Sequence, residues 1–133
     1  MKQGFRQLMR SALGGAIFGI VGALAGSIAG ARHFATVGFE EAFIGLFSGA
    51  ALGYTLGVSV GVYLVGRLSG IEGAFWLAIG GAVLGGGWLG LLPVVGFTDV
   101  FVYLAVPGCV ASLLLAVLGY NRGLGAICRR LGE

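Results

Sequence analysis

The sequence predicts an all-α integral membrane protein whose four transmembrane helices pack through glycine-zipper (GxxxG) faces. Apolar residues make up 58% of the 133 residues and charged residues only 10%, whereas an ordinary soluble domain carries roughly 25% charged residues. Glycine supplies 28 residues but proline only two, so the glycines belong to helices and not to collagen or a flexible linker. Composition and length together predict a single membrane domain over residues 1–133.

Four apolar segments are separated by short polar breaks. Each has about 20 residues or more, which at 1.5 Å per residue crosses a hydrocarbon core of roughly 30 Å. We predict spans at residues 11–31, 42–66, 73–92 and 100–120. The first span follows basic residues and so imitates a secretory signal peptide, but its apolar run exceeds the roughly 7–15 residues of such a signal. A retained helix is therefore favoured.

The second span has a glycine at every fourth position, and these are Gly45, Gly49, Gly53, Gly57 and Gly61. This spacing forms a stripe of bare backbone against which another helix can pack. Each step advances about 40° beyond a full turn, so the stripe turns through roughly 160°, and we expect two neighbours to cover it. Leucine at Gly53 is expected to disrupt this packing, whereas leucine at Ala50 or Val58 is expected to be tolerated.

The same four-residue spacing recurs in the first and third spans. Its members are Gly15 and Gly19, then Gly22, Gly26 and Gly30, and finally Gly81 and Gly85, with Gly86 and Gly90 as an alternative pair in the third span. The fourth span has instead Pro107 followed by Gly108. Because proline removes a backbone N–H, we expect a kink or a break in the helix there.

Polar residues inside the spans are few. Ser48, Thr55 and Ser59 lie on one side of the second span, where their hydroxyls either bond across to a neighbouring helix or line a weakly polar path. No Asp, Glu, Lys, Arg or His falls in the middle of any predicted span, although ion-coupled carriers and proton relays need such a group near the bilayer centre. A coupled transporter is therefore disfavoured.

Five aromatic residues are compatible with the belts that tyrosine and tryptophan form at membrane interfaces. They are Tyr54, Tyr63, Trp76, Trp88 and Tyr103. Trp76 fits most clearly, because it follows Glu72 near a predicted helix start. None of the five carries a specific signal for a cofactor.

The sequence offers no recognisable catalytic, cofactor or metal site. The single histidine, His33, has a spacing to Glu40 and Glu41 that matches no metal-ligand motif. The two cysteines, Cys109 and Cys128, are too far apart to pair along one helix. We therefore expect no catalysis, no cofactor and no bound metal.

Basic residues are distributed unequally between the two ends of the predicted spans. On one side lie Lys2, Arg6, Arg10, Arg67, Arg122, Arg129 and Arg130, and on the other lies Arg32. The positive-inside rule then predicts that the N-terminus and the C-terminus are both cytoplasmic. The basic termini are candidates for contact with anionic lipids. Nucleic acid is not an expected partner, because the net charge of +3 comes from residues that flank the spans.

These features predict a non-catalytic packing or assembly protein that forms a homo-oligomer or joins a larger membrane complex. Its expected partners are lipid and other transmembrane helices. The alternative is a small uncoupled channel or facilitator whose path follows the three hydroxyls of the second span. Ordered protein partners at the glycine faces favour assembly, and a continuous water path favours the channel.

Overall fold

The computed structural model describes residues 2–70 and 73–131 of the chain. The helices are α1 at Lys2–Phe34, α2 at Phe39–Leu68, α3 at Phe75–Gly86, a 3-10 helix at Gly87–Leu91, and α4 at Thr98–Leu131. Over these described ranges the chain contains helices and no strand, which confirms the predicted all-α fold class.

Within the described ranges, three of the helices are long and apolar enough to cross a membrane. The segments that qualify are Leu8–Phe34 of α1, Phe39–Leu68, which is all of α2, and Thr98–Asn121 of α4. They make an integral membrane location plausible, as the composition predicted. α1 and α2 extend beyond the predicted spans at both ends, because polar residues continue each helix past its apolar segment.

The third predicted span differs from the structure. Instead of one α-helix over residues 73–92, a 12-residue α3 continues directly as a 5-residue 3-10 helix. The change occurs at residues 85–87, which are all glycine, and glycine is the weakest helix former after proline. The prediction of a full-length α-helix here is therefore wrong, and the sequence signal for its end is the run of three glycines.

Short connections join the helices. Residues 35–38 connect α1 to α2, and residues 92–97 connect the 3-10 helix to α4. Gly70, after α2, and Gly96, before α4, have φ values of 72° and 92°, which glycine adopts without the steric penalty that other residues incur. These turns make neighbours of successive helices, so α1 packs along α2 and α3 packs along α4.

The two helix pairs meet in a small core. Its buried residues are Val58, Val62, Ala78, Ala82, Ala116, Val117 and Tyr120. The ring of Tyr120 lies directly against the backbone of Gly66 in the last turn of α2 and of Gly73 just before α3, so α4 packs against both of these points. Large apolar side chains such as Leu24, Leu84 and Val106 cover the outer surface and are 61–77% exposed, as expected for a protein whose solvent is lipid.

Candidate functional site

The α1–α2 seam is the set of backbone contacts between the glycines of these two helices. The facing pairs are Gly22 with Gly53, Gly26 with Gly49, and Gly30 with Gly45. In each pair the relation is reciprocal. A Cβ atom on Gly26 would overlap the carbonyl oxygen of Gly49, and a Cβ atom on Gly49 would overlap that of Gly26. Neither helix therefore has space for any side chain at these positions.

The seam continues to the other end of the glycine stripe. Gly57 faces the carbonyl of Phe18, and Gly61 faces that of Gly14. Each four-residue step forward on α1 matches a four-residue step back on α2, so the antiparallel register is constant along the seam. α1 alone covers all five glycines, which corrects the expectation of two neighbours. The residues of α1 that contact the stripe are also four positions apart. α1 therefore follows the stripe as the stripe turns around the axis of α2.

Two of the predicted packing glycines lie beside this seam. Gly15 faces the side chains of Val62 and Leu113, and Gly19 faces those of Val58 and Tyr54. The row on α1 is instead continued by Gly14, with Phe18 in the intervening place. Counting back in fours from Gly22 would have selected positions 18 and 14 from the sequence.

The α3–α4 seam has glycines on both helices, and most of them face larger residues; on α4, Gly119 lies against the backbone of Leu77. Gly81 lies against the backbone of Leu115, and Gly85 lies against that of Ser112. The fully buried Ser112 hydroxyl also donates a hydrogen bond of 3.0 Å to the carbonyl oxygen of Ala82 on α3. Sequence analysis did not single out Ser112, although it is a hydroxyl within a long apolar run.

α4 is continuous through Pro107 and Gly108. The expected break is therefore absent, and the kink remains a prediction. The 3-10 helix can approach α4 at this point because Gly108 has no side chain. Gly108 is buried, and a Cβ atom on it would overlap the side chain of Leu89 in the 3-10 helix.

The hydroxyls of the predicted polar path are buried in α2. Thr55 donates to the carbonyl oxygen of Ala51 and Ser59 donates to that of Thr55, each at 2.8 Å. These bonds lie within α2 and do not cross to a neighbouring helix. The Ser48 hydroxyl oxygen has no hydrogen-bond partner in the described part of the chain.

An apolar cavity of about 210 Å³ lies where α1, α2, α4 and the end of α3 meet. It is lined by Ala23, Ala50, Ala51, Tyr54, Thr55, Gly86, Leu89, Phe101, Ala105, Gly108 and Cys109. Of the three predicted path residues, only Thr55 lines this space. The structure therefore does not bring Ser48, Thr55 and Ser59 together along the cavity wall.

Tyr54 connects α2 to α4 at the cavity wall. Its hydroxyl donates a hydrogen bond of 3.2 Å to the carbonyl oxygen of Cys109. Tyr54 lies at the middle of α2, away from the helix ends where an interfacial belt would lie. Trp76 and Tyr103 lie near helix starts and are 79% and 82% exposed, which agrees with a belt position.

An empty cavity would lower the stability of the folded protein. At roughly 24 cal/mol per Å³, an enclosed apolar space of 210 Å³ would cost about 5 kcal/mol if nothing filled it, and this value is an upper bound here because the space is partly open. Water does not offset this cost, because a buried water needs two to four polar partners and the cavity wall is apolar. Any favourable occupant of this space is therefore apolar.

In the described part of the chain, no charged residue lines the cavity or provides the atoms nearest the seam glycines. Arg6 and Arg10 are exposed, and Arg67 donates a hydrogen bond of 3.0 Å to the Tyr63 hydroxyl. The side chains of Lys2, Arg122, Arg129 and Arg130 lie outside the described residues, as does that of Cys128. Within the described ranges, no group of three His, Cys, Asp or Glu side chains is placed to hold a metal ion.

No protein family, curated protein or solved structure matches this chain. Its function is therefore interpreted from its own contacts, which are the two glycine seams and the apolar cavity.

Proposed function

We propose that this protein is a non-catalytic packing and assembly element of a membrane. It consists of four spans joined by glycine zippers and functions in a homo-oligomer or a larger membrane complex. The observation that carries the proposal is the α1–α2 seam, because backbone contacts at all five glycines of α2 hold two helices in one fixed arrangement. A pair fixed in this way is a rigid scaffold for other helices.

The glycine faces are used within the chain, so association with other chains requires different surfaces. The outer face of α1 is one such surface. Its large aliphatic residues follow three- and four-residue spacing and are 55–61% exposed; they are Leu13, Ile17, Ile20, Leu24 and Ile28. This spacing suits the close packing of another transmembrane helix.

The length of the third helical segment supports a fourth span. Twelve residues of α-helix and five of 3-10 helix extend over roughly 28 Å, close to the roughly 30 Å of a hydrocarbon core. Four spans place both termini on one side of the membrane, and the bias in basic residues favours the cytoplasm. A membrane-impermeant thiol reagent should then modify Cys128 only from the cytoplasmic side, and labelling from outside intact cells would contradict this orientation.

The channel alternative receives less support from the contacts. A conducting path needs a row of polar groups or an open lumen, but Thr55 and Ser59 donate their hydroxyl protons within α2. Only one of the three candidate hydroxyls reaches the cavity. We therefore propose no second function.

Two measurements on the purified protein test the assembly proposal. Native mass spectrometry in mild detergent should give a defined oligomer or a defined complex with a partner. In liposomes, the leak of protons, potassium, chloride and small solutes should equal that of empty vesicles, since no span has a central charge. A monomer with saturable solute flux that Thr55→Val abolishes would replace assembly with the channel alternative.

A further inference from the structure

The apolar cavity is accessible from the side of the bundle. α1 and α4 approach each other at Gly15, where a Cβ atom would lie 2.8 Å from the Leu113 side chain. The cavity begins two helical turns further along α1, at Ala23, where small residues replace that contact. Ala23, Ala105 and Cys109 line the cavity and are each only half-buried. The space therefore opens between α1 and α4 towards the lipid.

The depth of the cavity is set by its lining residues. Ala23 lies near the middle of Leu8–Phe34, Tyr54 near the middle of α2, and Cys109 near the middle of Thr98–Asn121. When these segments cross a bilayer, the cavity lies at the bilayer midplane. The ends of the lipid alkyl chains lie at this depth, whereas the polar headgroups lie about 15 Å or more away.

The chemistry of the wall excludes polar ligands. The Tyr54 hydroxyl donates to the Cys109 carbonyl, and the Thr55 hydroxyl donates to the Ala51 carbonyl. The remaining wall consists mainly of alanine, glycine, leucine and phenylalanine. From Phe101 to Cys109 the wall follows eight residues of α4, or roughly 12 Å, which is elongated for a volume of about 210 Å³. The cavity is larger than an engineered apolar cavity of ~150 Å³ that binds benzene. Its elongated shape suits an alkyl chain better than a compact ring.

From this geometry we propose that the cavity binds the end of one alkyl chain of a membrane phospholipid, which enters between α1 and α4. The alkyl chain makes dispersion contacts with the wall that the small wall side chains cannot make with one another. Its polar headgroup remains outside in the lipid layer. This binding is independent of whether the protein assembles with other chains.

A photo-crosslinking experiment tests the proposal. The full-length protein is reconstituted into liposomes of phosphatidylcholine that carries a diazirine at the methyl end of one acyl chain. After irradiation and digestion, mass spectrometry should find adducts on Tyr54, Ala105 and Cys109 in the wall. Adducts on Val106 and Val110, which are exposed on α4, report ordinary contact with surrounding lipid.

Filling the cavity should remove the adducts on the wall residues and leave the adducts on Val106 and Val110. Ala105→Leu places a larger side chain in the cavity from α4, and Ala50→Leu does so from α2, so one variant suffices if the other fails to fold. Adducts on Tyr54 and Cys109 should be lost, while those on Val110 persist. Ala25→Leu is the matched control, since Ala25 is exposed on α1 and the change should alter neither set.

Two results would overturn the proposal. The first is the absence of wall adducts when Val106 and Val110 are modified. The second is the persistence of wall adducts in a folded filled variant. If the wall adducts are absent and addition of toluene raises the melting temperature, the cavity binds a compact apolar molecule instead of an alkyl chain.

Discussion

The α1–α2 pair and the α3–α4 pair achieve close helix packing in different ways. In the first pair glycine faces glycine at four of five positions, as at Gly26 and Gly49, and backbone meets backbone along the whole seam. In the second pair the glycines of both helices mostly face larger residues, as Gly81 faces Leu115 and Gly119 faces Leu77, and the Ser112 hydroxyl donates a hydrogen bond across to the Ala82 carbonyl. Shape alone fixes the first pair, whereas the second combines shape with a directed hydrogen bond.

This difference predicts where each pair is sensitive to substitution. Where two helix backbones are in contact, even a methyl group cannot be added to the glycine. It would overlap a main-chain carbonyl group of the facing helix, which cannot move because it is held in that helix. A Cβ atom on Gly81 or Gly85 would also overlap the backbone of α4, so the second seam has the same restriction and depends in addition on the Ser112 hydroxyl. The loss of a hydroxyl therefore affects the second pair in a way that has no counterpart in the first.

The largest effect is expected from Gly53→Ala in the α1–α2 seam. The added Cβ atom would overlap the carbonyl oxygen of Gly22, so the two helices must separate, and overpacking of this kind costs about 1–3 kcal/mol. The free energy of unfolding, measured in detergent, should fall by that amount. Gly80→Ala is the matched control, because a Cβ atom there has no atom within 4 Å outside its own helix.

The control should change in the opposite direction. Alanine is a better helix former than glycine by up to about 1 kcal/mol in water, and part of this gain is retained in lipid. Gly80→Ala should therefore leave the stability unchanged or raise it. Equal losses at Gly53 and Gly80 would mean that glycine has no special role at the seam.

The glycine stripe of α2 could be predicted from the sequence, but its packing partner could not. A period of four residues places Gly45 to Gly61 on one side of a helix whatever surrounds it. The register against α1 depends also on where the chain reverses at residues 35–38. That register selects Gly14 for the seam and turns Gly15 towards Val62 and Leu113.

The sequence also did not show which face of each helix packs in the core and which faces lipid. In water, polarity separates the two faces of a helix, but in a membrane both faces are apolar. Val58 and Ala50 were therefore expected to tolerate leucine, yet Val58 is fully buried and Ala50 lines the cavity. The cavity itself is formed by residues from every helix, so no local spacing could reveal it.

A smaller effect is expected from Ser112→Ala in the α3–α4 pair. The variant removes the donor to the Ala82 carbonyl but leaves that oxygen in its own helix, so we expect a loss of about 0.6–1.7 kcal/mol, the range for hydrogen bonds between membrane helices. Ser59→Ala is the control, because Ser59 is equally buried but bonds within α2. If the two variants lost the same stability in detergent unfolding, the inter-helix bond would contribute nothing of its own.

The smallest effect is expected from Tyr54→Phe, which alters the contact between the two pairs and neither seam. The change keeps the ring against Gly19 but removes the hydroxyl that donates to the Cys109 carbonyl. A single bond of this length between half-buried partners is expected to contribute about 0.6 kcal/mol. Detergent unfolding of Tyr54→Phe should show this small loss, and Tyr103→Phe, at an exposed position on α4, should show none. A loss as large as that of Gly53→Ala would mean that the two pairs depend on each other for stability, and that the α1–α2 seam is not the dominant contact of the bundle.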